Sequence, residues 1–174
     1  AGASPQLDKL GSQSWVKTRA RVKKAAEEIA QELLELYARR KTARGFAFSP
    51  EGQWEREFDQ IFAYEETEDQ LRAIQEVRSD MEADQPMDRL LCGDVGYGKT
   101  EVAMRAAFKA AMDGKQVAVL CPTTVLANQH LTTFRQRMLL FPVRIEGLTR
   151  LQSKKEQQKI LEDLKKGFVD IIIG

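Results

Sequence analysis

The chain has 174 residues, of which 43% are hydrophobic and 30% charged, enough for one ordinary domain with some extra structure and a packed core. No apolar run is long enough to cross a membrane as a helix, and the first ten residues lack the apolar stretch of a secretion signal. Two cysteines and one histidine exclude a disulfide scaffold, a zinc cluster and most histidine-based chemistry, and point to a cytoplasmic protein with reduced thiols.

The formal net charge of +1 conceals an uneven distribution. Residues 1–45 carry ten basic and five acidic side chains, residues 46–87 three and twelve, and residues 88–174 fourteen and nine. A basic C-terminal half behind an acidic strip is compatible with a polyanionic partner, although charge alone favours a solvated face.

In chain order, residues 1–13 are punctuated by Gly2, Ser4, Pro5 and Gly11 and read as the tail of something upstream. Residues 14–45 predict one long basic helix. Val22, Ala26, Ile29, Leu33 and Leu36 share a face, Lys17, Arg19, Arg21, Lys23 and Lys24 crowd the first half, and Gly45 stands as the C-cap. Such a helix suits a strut or linker. Residues 46–86 form a pre-motif segment, acidic and aromatic at first, then helical from Thr67 to about Ala83 with Leu71, Ile74, Val77 and Met81 as its stripe.

From residue 87 the pattern changes. Strands are predicted at Arg89–Cys92, Gln116–Cys121, Val143–Leu148 and Val169–Ile173. Helices are predicted at Lys99–Met112, Leu126–Met138 and Ser153–Lys166, the last with Ile160, Leu161 and Leu164 facing inward. Alternation of near-continuous apolar strands with helices predicts an α/β fold, a parallel sheet flanked by helices on both faces. The abrupt start, and an end directly after a strand, read as a piece of a longer protein. Cys92 and Cys121 are expected as small buried residues, His130 on a solvent face, and Trp15 and Trp54 in packing roles.

The strongest signal is Gly93-Asp94-Val95-Gly96-Tyr97-Gly98-Lys99-Thr100, a full G-x-x-x-x-G-K-[ST] phosphate loop between a predicted strand and a helix. Its glycines let backbone N–H groups turn inward, and those donors with the helix N-terminus hold phosphate oxygens. Lys99 would sit on the β- and γ-phosphates of ATP and the Thr100 hydroxyl would ligate Mg²⁺. Hydrolysis also needs an acid at the C-terminal end of a strand. Asp170 stands at the start of its strand instead, so the acidic element is expected to be lacking and the chain to bind nucleotide without turning it over.

Thr67-x-x-Gln70 has two readings. It is a capping box for the helix that follows. It also offers a glutamine amide that can read an adenine edge, with Phe62 to cover the ring. After the second and third strands, Pro122-Thr123-Thr124 and Thr149-Arg150 likewise serve either as helix caps and turns or as hydroxyl and guanidinium contacts to nucleic-acid phosphates.

Together, Phe62–Gln70, MDRLLCGDVGYGKT at Met87–Thr100, QVAVLCPTTVLANQH at Gln116–His130 and Lys154–Gly174 resemble the first, RecA-like motor lobe of superfamily-2 helicases. Within that superfamily, SPQLDKLG before Trp15 and the basic helix is similar to the bacterial transcription-repair coupling factors. The resemblance implies an ATP-driven translocase on double-stranded DNA. Such a translocase displaces stalled RNA polymerase, bound through a module upstream, and recruits excision-repair proteins. It implies ATP contacts from Gly93 to Thr100, adenine-side contacts at Phe62, Thr67 and Gln70, and DNA-backbone contacts at Pro122, Thr123, Thr124, Thr149 and Arg150. The family's acidic box and second lobe with its arginine finger have no counterpart in the sequence. Glu68 stands where the family often has proline, and Cys121 where it usually has an apolar residue. The fork-reversal, RecG-like helicases are the alternative. They share the phosphate loop and the Pro-Thr element but lack the approach through Trp15 and the basic helix.

Overall fold

The computed structural model describes residues 12–174, so the expected upstream tail lies almost wholly outside the described residues. The chain divides after Arg44 into two units. No helix among the described residues is long and apolar enough to cross a membrane.

The first unit contains α1 (Gln13–Thr42), 30 residues long. Ser12 caps it by accepting from the Trp15 N–H at 3.2 Å, and Lys23–Glu27 and Lys24–Glu28 pair along its surface. None of its residues is buried, so Val22, Ile29, Leu33 and Leu36 are all exposed. The helix ends at Thr42 and is capped by Ala43, whose N–H reaches the Arg39 carbonyl at 3.0 Å. Gly45 is therefore not the cap. It donates to the Asp84 carbonyl at 2.7 Å, and an added Cβ would lie 2.8 Å from the Pro86 nitrogen, so glycine is required there for close approach.

The second unit holds α2 (Gln53–Gln60), α3 (Glu68–Glu82), α4 (Lys99–Met112), β1 (Val117–Val119), α5 (Thr124–Arg137), β2 (Ile145–Gly147), α6 (Lys154–Lys165) and β3 (Ile171–Ile173). The strands form a parallel sheet in the order β1-β3-β2, with Ile171 beside both Val117 and Ile145. Parallel strands need crossovers, and α5 and α6 supply them. The central strand buries Ile171 and Ile173 completely.

Helix α4 is the hub. On one side Met104, Ala107 and Phe108 join Phe58, Phe134, Met138 and the strand isoleucines, with Phe58 and Phe108 stacked at 4.2 Å. On the other, Val102 and Ala110 meet Ile74, Val77 and Met81 of α3. Even its Lys109 is buried, donating to the Ser49 carbonyl at 2.6 Å and paired with Glu82 at 3.0 Å and Glu55 at 3.3 Å.

Several expectations are corrected. Arg89–Cys92 forms no strand among the described residues. An apolar groove of about 490 Å³, lined by Leu91, Val102, Ala106 and Leu120 among others, lies between it and the free edge of β1. A ladder requires strands about 4.8 Å apart. The segment is held instead by Arg89, paired with Glu76 at 2.5 Å and Asp80 at 2.6 Å. Leu71 is exposed, displaced from the stripe that Ile74, Val77 and Met81 fill, and Leu161 is also exposed. His130 is half-buried, edge-on to Phe134 at 6.4 Å. Cys92 is exposed and Cys121 half-buried, because each opens onto a cavity described below.

Candidate functional site: a phosphate loop and a strand-end cleft

Residues 93–98 form the turn between the extended segment and α4. Gly96 and Gly98 have φ of +85° and +73°, a region L-residues avoid. Gly98 is doubly constrained, since an added Cβ would stand 2.3 Å from Gln70 Nε2. Gly98 is also the N-cap of α4, and no side chain caps that helix, so its first-turn N–H groups face the loop without side-chain competition. The Lys99 ammonium donates to the carbonyls of Gly93 at 2.7 Å and Asp94 at 2.5 Å, placing a cation across the loop. Thr100 is half-buried in the first turn, while Val95 and Tyr97 are exposed. Glycine backbone, uncapped helix N-terminus and lysine are the donor set a polyphosphate requires.

A cavity of about 230 Å³ adjoins the loop, lined by Thr67, Gln70, Leu91, Gly93, Tyr97 and Lys99 among others. It brings Thr67 and Gln70, the residues expected on the adenine side, to the phosphate loop. The capping box is formed as well: Gln70 N donates to Thr67 Oγ1 at 3.3 Å, and Gln70 Oε1 accepts from Thr67 N at 2.9 Å. Gln70 Nε2 then donates to the Tyr97 carbonyl at 3.0 Å, bracing the loop. Cap and loop contact are thus made by one side chain.

Phe62 does not line this cavity. Its ring lies edge-on to Tyr64 at 5.6 Å, with the guanidinium groups of Arg105 at 5.3 Å and Arg137 at 5.5 Å. These arginines belong to a buried charge cluster not read from the sequence. Glu101, the residue after Thr100, accepts from Arg105 Nε at 2.9 Å, from Arg137 Nη2 at 2.8 Å and from Arg137 Nε at 3.3 Å. Arg105 also donates to Glu66 at 2.5 Å, which holds that carboxyl below the usual carboxylate range. The Glu101–Arg105 spacing of four residues on a helix was the available signal. Nothing local marks Arg137.

A second cleft, of about 440 Å³, opens at the C-terminal ends of all three strands. It is lined by Pro122, Thr123, Thr124, Thr149 and Arg150, with Cys121, Ala127 and Gly174. All five residues singled out for nucleic-acid phosphate contact therefore meet in one place, because parallel strands deliver their following loops to one edge. Thr123 caps α5 by accepting from Leu126 N at 3.3 Å. The Thr149 hydroxyl donates to Gln152 Oε1 at 2.8 Å, and Gln157 Nε2 donates to the Thr149 carbonyl at 3.0 Å, fixing the turn that presents Arg150. Arg150 is exposed and makes no hydrogen bond or ion pair among the described residues. Burial raises the Cys121 thiol above its ordinary pKa. Asp170 lies at the opposite end of β3, where its carboxylate accepts from Arg144 N at 2.7 Å.

Residues 67–174 match the DEAD/DEAH box helicase family. The transcription-repair-coupling factor of Bacillus subtilis (strain 168) is 53% identical over 99% of this chain, and that of Mycobacterium bovis is 54% identical over the same share. The chain spans only 15% and 14% of their respective lengths. A solved structure of RecG bound to a three-way DNA junction superposes with a TM-score of 0.75 at 35% identity, covering 80% of this chain and 19% of that one. The resemblance read from the sequence is the one these comparisons return.

Proposed function

Since the chain belongs to the DEAD/DEAH box helicase family, whose fold uses ATP, we propose that it is the nucleotide-holding part of an ATP-driven translocase on double-stranded DNA. In this reading the intact protein acts in the cytoplasm, displaces stalled RNA polymerase and recruits excision-repair proteins. The likeness to transcription-repair-coupling factors over nearly the whole chain supports it over a fork-reversal helicase, whose relative is less identical and covers less of the chain.

Gly93–Thr100 holds the phosphates, with Lys99 as the cation and the Thr100 hydroxyl as the Mg²⁺ ligand. Bound ATP supplies the free energy that drives motion. Thr67 and Gln70 stand at the base side, and Phe62, which lies outside the cavity, does not cover the ring. The observation that carries the DNA reading is the strand-end cleft, which gathers Pro122, Thr123, Thr124, Thr149 and Arg150 on one edge. Hydroxyls, a helix N-terminus and one unpaired guanidinium suit phosphodiester oxygens and read no base. Binding there is therefore sequence-independent and weakens with salt. Asp170 is turned away at the far end of its strand, so this chain holds nucleotide without hydrolysing it.

Calorimetric titration with Mg·ATP, on this chain and on Lys99→Ala, tests the reading, with circular dichroism as the folding control. Lys99-dependent binding supports it. A folded chain that binds no nucleotide refutes the holding role.

A further inference from the structure

The segment between α2 and α3 positions Thr67 and Gln70, yet it has little burial to fix it. Ala63, Tyr64 and Glu65 are exposed, and Tyr64 is 77% exposed. Apolar contact therefore does not hold this stretch. Its tie to α4 is polar. Glu66 Oε1 accepts from Arg105 Nη2 at 2.5 Å, and the Arg105 guanidinium also lies over the Phe62 ring at 5.3 Å.

Arg105 is itself anchored. Its side chain is 6% exposed, and its Nε donates to Glu101 at 2.9 Å and pairs with Asp59 at 3.3 Å. Both carboxylates are shared, Glu101 with Arg137 at 2.8 Å and Asp59 with Arg78. The third, Glu66, comes from the residue preceding Thr67, the cap of α3. A planar fork addresses Glu101 through Nε and Glu66 through Nη2, two separate donors in a fixed geometry that the single nitrogen of an ammonium does not reproduce. Beyond Glu66 the chain of contacts continues: Thr67 N to Gln70 Oε1, then Gln70 Nε2 to the Tyr97 carbonyl of the phosphate loop.

We propose that Arg105 is a positioning residue for base recognition, gripping Glu66 so that Gln70 is presented at the mouth of the phosphate-loop cavity. Arg105 touches neither phosphate nor base. It sets which purine the site prefers, through Glu66 and Gln70. This inference rests on the nucleotide reading above and assigns its base selectivity to a residue outside the cavity.

A purely structural Arg105 would lower stability and weaken every ligand alike. A positioning Arg105 changes the choice among ligands. The test is calorimetric titration of the chain, of Arg105→Lys and of Glu66→Ala with Mg·ATP, Mg·GTP and Mg·tripolyphosphate, folding being checked by circular dichroism. The expected result is that the wild type prefers ATP, and that both variants lose about tenfold of the ATP-to-GTP preference, the worth of one directed hydrogen bond. Tripolyphosphate affinity should stay within about twofold, since Lys99 and the uncapped start of α4, the phosphate donors, contact neither Arg105 nor Glu66. If Arg105→Lys does not fold, Glu66→Ala decides alone, because Glu66 sits at the surface end of the contact. An unchanged ATP-to-GTP ratio in the folded variants overturns the proposal and leaves the phosphate-loop reading standing. A parallel loss for all three ligands overturns it as well. A wild type that binds tripolyphosphate with no purine preference removes the base-side reading and this proposal with it. A folded wild type that binds none of the three overturns the nucleotide reading and therefore this one.

Discussion

Replacing Glu101 by alanine leaves the Arg137 guanidinium without a carboxylate in the interior, while Arg105 keeps Glu66 at 2.5 Å and Asp59 at 3.3 Å. Glu101 is 7% exposed at its side chain, Arg105 6% and Arg137 11%. The carboxylate accepts three hydrogen bonds, at 2.8, 2.9 and 3.3 Å. Arg137 already has one nitrogen, Nη1, without a hydrogen-bond partner, and Asp59 Oδ1 likewise has none, though it is ion-paired with Arg105 Nε at 3.3 Å. After truncation Arg137 retains the Phe58 carbonyl at 2.8 Å and the rings of Phe58 at 3.8 Å and Phe62 at 5.5 Å. Breaking a buried ion pair from one side costs about 3–5 kcal/mol, because the remaining charge is left without compensation. Glu101→Gln keeps the shape and one acceptor oxygen and should cost roughly 1–3 kcal/mol. Urea unfolding followed by circular dichroism reads both values. In a double-mutant cycle with Arg137→Met, the paired variant should be more stable than the sum of the single effects predicts by at least about 1 kcal/mol. A loss below about 1 kcal/mol for Glu101→Ala, or full additivity in the cycle, would refute the view that this cluster is held by mutual compensation.

Three further outcomes are expected. Gly98→Ala places a Cβ 2.3 Å from Gln70 Nε2 at a φ of +73°, so calorimetry should show Mg·ATP affinity reduced by more than about tenfold while the fold survives. Arg150→Ala should weaken duplex DNA binding and flatten its log–log salt dependence by about 0.9, the slope that one neutralised phosphate contributes; an unchanged slope would place Arg150 outside the track. Arg105 holds the Glu66 carboxyl below its usual range, so this ion pair stabilises the fold above the ordinary carboxylate pKa, and its stabilisation disappears as pH falls through the lowered native value. The difference in melting temperature between wild type and Glu66→Gln should be full at neutral pH and vanish in strong acid; a difference that grows on acidification would reverse the assignment.

Elements whose signal is local were legible. Helix α4 is as predicted from Lys99 to Met112, and the cap at Thr67 is formed. The three paired strands lie inside their predicted ranges, trimmed to three residues each, because only those positions find ladder partners. Arg89–Cys92 reads as a strand by composition, yet strand formation is a property of pairs, and its neighbour across the groove is out of reach. The two cysteines were misplaced for a related reason. Each ends an apolar run, which suggests burial, but each lies outside the paired strands and lines a cavity.

The contrast between the two clefts shows where sequence reading stops. The five strand-end residues were found together because topology alone assembles them: each follows a strand, and parallel strands turn their following loops to one edge. Phe62 needed more than topology. Its position depends on Arg105 and Arg137, and Arg137 lies 36 residues after Glu101 and 79 after Phe58 with no periodic relation to either. Helix α5 carries the cleft threonines at its start and Arg137 at its end, while α4 carries the phosphate loop at its start and Glu101 and Arg105 in its first two turns. The buried cluster is therefore where the two helices that lead from the two clefts are bonded to one another. A sequence presents those helices as separate amphipathic segments, and only the packed chain makes their charged residues partners.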